Sequence, residues 1–247
     1  MGMDLTTSIG LFGVLIMLTL GLVSGELGGI FLNWHGIGIV FGGTAIAMLV
    51  NTPARYIRET IGSVLNLIRK DPYGDPSELV PILVRLAEQV QARGLGALRG
   101  VDEKTGGGFL FQAATTAMEY NNADFVRRVL ETEVNNKVDR YNEVINVVRT
   151  AGVLSPMFGL IGTLIGIVRV LKQISDPDKV GPAMAVAITT AFYGILLANM
   201  VCVPVAGKMR FRLWEEIKVK AMIIEGVVGM MQGTVPLVLE RRLQAFR

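Results

Sequence analysis

The chain is poor in charge, and poorer still in the residues that bind metals or form crosslinks. Its 247 residues include one cysteine, Cys202, and one histidine, His35. A lone cysteine excludes a disulfide framework, and with a lone histidine it leaves almost no His/Cys ligand set for a metal. Charged residues make up 18% of the sequence, against about 25% in an ordinary soluble domain. No Lys or Arg occurs before Arg55, although the chain carries 24 of them. There is no P-loop, no dinucleotide fingerprint and no period-two apolar run. Gly106-Gly107-Gly108 is followed by no Lys-Ser/Thr pair and preceded by no strand, so it reads as a turn. No nucleophile–base pair is legible either, which sets enzymes aside. Nothing points to nucleic acid or to an organic cofactor.

What remains is apolar. Hydrophobic residues reach 51% and the mean hydropathy is +0.49, a balance that excludes disorder and coiled coil and leans toward lipid. A membrane-crossing helix needs about 20 mainly apolar residues. Four segments qualify: 5–23, 30–50, 152–171 and 180–206. The first lacks a basic leader and follows Asp4, so it reads as an uncleaved span rather than a signal peptide. Short connectors pair the first span with the second and the third with the fourth. A polar block, 51–150, separates the pairs.

Basic residues set the orientation. Of the 24, 13 lie in the central block and 8 after Ala206, leaving Arg169, Lys172 and Lys179. Basic loops stay on the cytoplasmic side, which places the central block and both termini there. The expected architecture is an all-α integral membrane protein with four transmembrane helices in a 2+2 arrangement. A helical cytoplasmic domain sits between spans two and three, and span four extends far into the cytoplasm. The division is 1–50 (spans one and two), 51–150 (cytoplasmic domain), 151–206 (spans three and four) and 207–247 (cytoplasmic helix). Within the block, a helix is expected from Ser77 to Gly94. A second begins near Asn121, Asn122 and Asp124 and carries an apolar stripe from Val126 to Val148. Trp214, Ile217, Ala221, Ile224, Val228 and Met231 repeat that pattern, with no break from the fourth span.

Spans three and four carry stripes of small residues: Ser155, Gly159 and Thr163 on one, Thr190, Gly194 and Ala198 on the other. Such spacing lets helices approach closely in lipid. Pro156 and Pro204 lie near the cytoplasmic ends of these spans, where each frees a carbonyl and permits a kink. A proton or cation relay through hydrocarbon normally uses an acidic side chain or histidine at depth. Here the acids only flank the spans, at Asp4, Glu26, Asp176 and Asp178. If the chain helps conduct ions, another polypeptide must supply the carboxylate.

The run Leu154-Ser155-Pro156-Met157-Phe158-Gly159-Leu160-Ile161-Gly162-Thr163, then Asp176-Pro177, Gly181-Pro182-Ala183-Met184-Ala185-Val186-Ala187, Phe192-Tyr193-Gly194 and Leu197-Ala198-Asn199-Met200 with Pro204, resembles the third and fourth transmembrane helices of the MotA/PomA family. Members of that family are the larger stator subunit of the bacterial flagellar motor, in the inner membrane. The resemblance implies a homopentamer around a dimer of a MotB/PomB-like single-span partner that brings the ion-carrying aspartate. Ion flow would drive rotation and torque on the rotor protein FliG. It also implies coupling roles for Pro156 and Pro204 and an ion-path position for Thr163. No cofactor is implied beyond the transported ion, H+ or Na+.

Two departures from the family pattern refine this. The Thr189-Thr190 pair sits one place early, so Ala191 occupies the position where sodium-type members favour a hydroxyl, which favours protons. In the torque segment Arg93 fits, but Arg99 stands at the glutamate position, leaving Asp102 or Glu103 to supply the negative charge. The rival readings are an ExbB/TolQ-like energiser, against which the extra span pair argues, a gliding-type energiser, and a passive channel or scaffold.

Overall fold

The computed structural model describes residues 9, 10, 12, 13, 16, 33–68, 73 and 76–246. Apart from five helical positions, the expected first span lies outside the described residues, as does the connector that follows it. The described residues form helices joined by turns, with no strand among them. In chain order they are α1 (Trp34–Asn51), α2 (Ala54–Asn66), α3 (Pro76–Arg93), α4 (Phe109–Glu119), α5 (Ala123–Lys172), α6 (Pro177–Met231) and α7 (Pro236–Gln244). Among the described residues α1, α5 and α6 are long and apolar enough to cross a membrane.

Local chemistry explains the ends. Asn33 caps α1, its side chain accepting from the N–H groups of His35 and Gly36. Asn122 does the same for α5, accepting from the Phe125 N–H. α3 stops where Gly94 takes φ +75, its N–H closing on the Val90 carbonyl at 2.8 Å, a conformation that costs little without a Cβ.

α5 carries the amphipathic stripe and the expected third span on one helix, its backbone unbroken through 50 residues. Thr150, Gly152 and Val153 are weak helix formers, but one interior glycine costs about 1 kcal/mol and the β-branched residues less, too little to end a helix. α6 likewise runs 55 residues without a break.

The structure divides into two compact units. The first combines Met1–Lys70 with Asn142–Arg210, and the second Asp71–Tyr141 with Phe211–Arg247. α2, which the sequence grouped with the polar block, belongs to the first unit. There the Thr60 hydroxyl reaches both its own helix at Tyr56 O (2.7 Å) and Val144 O of α5 (3.3 Å).

The second unit closes around Leu83, Leu110, Leu130, Ile223, Leu239 and Leu243, all fully buried. These come from α3, α4, α5, α6 and α7, so each helix contributes an apolar stripe too small to be covered alone. On α6 Val219, Met222, Ile223, Ile224, Val227 and Val228 are buried, so the expected stripe enters the core through Ile224 and Val228, and only its first residue, Trp214, lies outside. Trp214 is exposed, with Lys218 Nζ 4.2 Å from its ring centroid. That ring is amphipathic enough to sit outside a core.

Candidate functional site

The residues singled out from spans three and four meet along one antiparallel contact in the first unit, between α5 and α6. A Cβ placed on Gly194 would lie 2.7 Å from the Ser155 carbonyl oxygen and 3.0 Å from Pro156 Cα. One on Gly159 would lie 2.8 Å from the Thr190 carbonyl oxygen and 3.4 Å from Ala191 Cα. Further along, Gly162 faces Thr190 and Gly166 faces Ala187. Backbone therefore meets backbone at both ends of the stripe, the close approach that small residues permit in lipid. At the other end of the contact, Gly152 faces Cys202, two positions before Pro204. Both prolines thus lie toward the same end of the helix pair.

Neither proline breaks its helix. α6 instead accommodates Pro204 by a stretch of π-helix over Leu197–Cys202, immediately before Val203. A residue with no N–H cannot continue the usual ladder, and a wider turn redistributes the freed carbonyls. α1 contains a second π stretch, Gly38–Gly42.

The hydroxyl groups separate into three kinds. Thr163 bridges the helices: its Oγ1 donates toward Gly159 O and Ala187 O, each at 3.0 Å. Thr190 is fully enclosed, its side chain between Gly36 of α1 and Gly162 of α5, and its Oγ1 turns back to Val186 O and Ala187 O. Thr189 also bonds its own helix, at Ala185 O. Ser155 and Thr44 are buried, and neither hydroxyl has a hydrogen-bond partner among the described residues. Ala191 and Pro156 are half-buried, and Pro204 is exposed. Tyr193, whose hydroxyl accepts from the Asn33 N–H at 3.1 Å, ties the start of α1 to this pair.

The second set, Arg93, Arg99, Asp102 and Glu103, lies in the second unit on the segment joining α3 to α4, and all four side chains are exposed. Arg93 ends α3, and Arg99 lies in a 3-10 turn, Leu95–Gly100, anchored by buried Leu98. Asp102 accepts from the Lys104 N–H at 3.2 Å. The segment ends in a tight turn, Thr105–Gly108, where Gly106 and Gly107 take φ +59 and +65. This is the turn expected of the three glycines, and it requires them.

A cluster the sequence reading missed stands beside that turn. Glu216 Oε1 accepts from Tyr73 Oη (2.7 Å), from Lys220 Nζ (2.8 Å) and from Lys137 Nζ. Burial raises the Glu216 carboxyl, but the hydrogen bonds from Lys137, Lys220 and Tyr73 outweigh it and hold the group below its ordinary range. Burial and the bond to Glu216 push the Tyr73 phenol up to about 12. Lys220, 5% exposed, is lowered by desolvation. Glu216 and Lys220 stand four residues apart on one helix, a legible pair; their partners Tyr73 and Lys137 come from distant sequence. Among the described residues no group of three His, Cys, Asp or Glu side chains could hold a metal ion.

The chain matches the MotA/TolQ/ExbB proton channel family over residues 103–222. It is 32% identical to "Uncharacterized protein YtxD" of Bacillus subtilis (strain 168), over 98% of this chain and 90% of that protein. It is 30% identical to "Chemotaxis protein PomA" of Vibrio alginolyticus, over 99% of this chain and 95% of that one. The fold is similar to a chain of the flagellar MotAB stator complex from Bacillus subtilis, with a TM-score of 0.87 and 25% identity, covering 97% of this chain and 94% of that chain.

Proposed function

The chain belongs to the MotA/TolQ/ExbB proton channel family, among its MotA/PomA-type flagellar stator subunits, and we propose that it converts ion flow into torque by rotating around a partner that carries the ion-binding carboxylate. One observation carries this reading. α5 and α6 pack through Gly159 and Gly194 into a close pair bearing hydroxyls, while the expected spans hold no acidic side chain in their interiors. A conducting path lined by such helices needs its titratable group from elsewhere. A MotB/PomB-like single-span subunit is the proposed source.

The finer parts of the proposal follow from topology and charge. Four spans, 5–23, 30–50, 152–171 and 180–206, cross the inner membrane in a 2+2 arrangement with both termini cytoplasmic. Segments 51–150 and 207–247 lie on the cytoplasmic side, where the basic residues concentrate. Five copies surround two partners. Pro156, Thr163, Thr190, Ala191 and Pro204 line or couple the ion path, and Arg93, Arg99, Asp102 and Glu103 face FliG. The transported ion is the proton, because Ala191 offers no hydroxyl where sodium coordination would use one.

Native mass spectrometry of this chain purified with a single-span partner tests the assembly. Five copies with two partners supports the rotary reading; a stable complex without any carboxylate-bearing partner overturns it. Motor rotation that requires sodium would overturn the choice of proton.

A further inference from the structure

We propose that Glu216 is a positioning residue for torque: with Tyr73, Lys137 and Lys220 it builds the support on which the end of the rotor-facing segment is seated. The inference rests on the reading that Arg93 to Glu103 meets the rotor. An exposed charged segment can transmit force only if its ends are held, and the two ends of this one are held differently. Its start is fixed by the end of α3 and by buried Leu98.

Its finish is the turn Thr105–Gly108, whose three glycines have no side chains with which to anchor it. A Cβ on Gly107 would lie 2.6 Å from Tyr73 Cε1, and one on Gly106 would lie 2.5 Å from Ile223 Cδ1. The turn is therefore pressed directly onto the Tyr73 ring and the α6 surface. Next in sequence, Phe109 lies 5.0 Å from Lys220 Nζ in cation–π contact. Lys220 also stands 5.9 Å from the Tyr73 ring centroid.

The two polar supports, Tyr73 and Lys220, converge with Lys137 on a single oxygen, Glu216 Oε1. It fixes the Tyr73 hydroxyl, and with it the ring beneath Gly107. It also compensates the charge of Lys220, which is otherwise almost sealed from water, and so keeps that ammonium against Phe109. Lys137 brings α5 to the same point. A cluster serving stability alone could be satisfied by apolar packing of the same volume. This one places three donors around one acceptor directly under the one stretch of the segment that cannot anchor itself.

The test compares Glu216→Gln and Arg93→Glu with the unchanged full chain, each in complex with its partner subunit. Three quantities are read: amide hydrogen exchange, ion conduction across the membrane, and rotation speed at high load. Loss of one buried ionic partner is expected to speed exchange at residues 105–109 by about tenfold or more. Conduction and assembly stay unchanged and speed at high load falls. Tyr73→Phe, which keeps the ring and removes one donor, gives a smaller change of the same kind and serves if Glu216→Gln does not assemble.

Unaltered exchange in the turn overturns the proposal. So does a fall in conduction that parallels the fall in speed, because the cluster would then act on the whole complex. If exchange rises and Arg93→Glu stops rotation while Glu216→Gln does not, positioning is refuted and the rotor reading stands. If neither substitution changes rotation, the rotor reading of the segment itself fails.

Discussion

The contact between α5 and α6 makes a strong demand on Gly194, and that demand can be measured. Replacing Gly194 by alanine adds a methyl group 2.7 Å from the Ser155 carbonyl oxygen, 3.0 Å from Pro156 Cα and 3.2 Å from Gly159 Cα. All three are backbone atoms, so no rotamer change relieves the clash. Ordinary carbon–carbon contacts lie at about 3.5–4.0 Å, so the helices must separate by on the order of half an ångström or more. Overpacking of this kind costs about 1–3 kcal/mol. The separation also weakens the reciprocal contact at Gly159 and the Thr163 bridge to Ala187.

Gly207 is the matched control. It lies in the same helix, and a Cβ there meets nothing within 4 Å. Glycine-to-alanine replacement in a helix carries a gain of up to about 1 kcal/mol from propensity, and that gain is common to both variants. The difference between Gly194→Ala and Gly207→Ala is therefore the packing cost alone, about 1–3 kcal/mol. Unfolding in mixed micelles titrated with a denaturing detergent reads it. If the two variants unfold within about 0.5 kcal/mol of one another, the variation expected for substitutions that disturb nothing, the close approach is not a constraint and the packing argument fails.

Three other outcomes follow from side chains in the two units. Thr163→Val should cost about 0.6 kcal/mol and at most about 1.7 kcal/mol, the range for interhelical bonds in membranes, and Thr163→Ser should recover it; a loss in the serine variant equal to that in valine would disprove the bridge. Ser155→Ala removes a buried hydroxyl without a partner among the described residues and should leave stability unchanged or raise it by about 1 kcal/mol; a clear loss in the same unfolding assay would mean that the hydroxyl is satisfied in the membrane. Glu216, and Glu225 on the same helix, where burial is outweighed by the hydrogen bonds from Arg127 (2.9 Å) and Arg242 (3.2 Å), are both held below the ordinary carboxyl value of 4.5. Their stabilisation is complete above that value and disappears as the pH falls through their lowered values. A Glu216→Gln/Glu225→Gln variant should therefore lose less stability than the unchanged chain between pH 5 and about 2, and an identical acid profile would refute the assignment.

Much of the helical layout was legible because it rests on local signals. α3 follows from its apolar periodicity and from Gly94, and the Asn122 cap was visible beside Asn121 and Asp124. The continuity of α5 across 150 carries no such local signal: the composition changes there from polar to apolar, while nothing at that point ends the helix. On α6 the expected stripe departs from the core only at Trp214, whose amphipathic ring tolerates exposure. Around the site, the small-residue stripes indicated a close contact but not its register. Pairing Gly194 with Ser155 and Gly159 with Thr190 depends on how two helices cross, and no single-helix pattern contains that. The Glu216 cluster was hidden for the same reason: four residues from three distant parts of the chain meet at one atom.

The threonines narrow what this chain can contribute to ion transfer. Thr189 and Thr190 both spend their donors on carbonyls of their own helix, and Thr163 spends its donor across the helix contact. A hydroxyl whose proton is committed in this way can offer an ion only its oxygen lone pairs. Thr190 cannot offer even these freely, since Gly36 and Gly162 close over it. Of the two threonines in the proposed ion-path set, Thr163 is the one that remains partly accessible, beside half-buried Ala191 and Pro156. On the proposed reading the α5–α6 face is therefore a stiff wall with scattered acceptors, and the group that takes up and releases the ion belongs to the partner. Rigidity is then the useful property of the glycine contact: a wall that yielded when the partner's carboxylate changed charge would absorb the displacement, whereas one that holds its spacing passes it on as rotation.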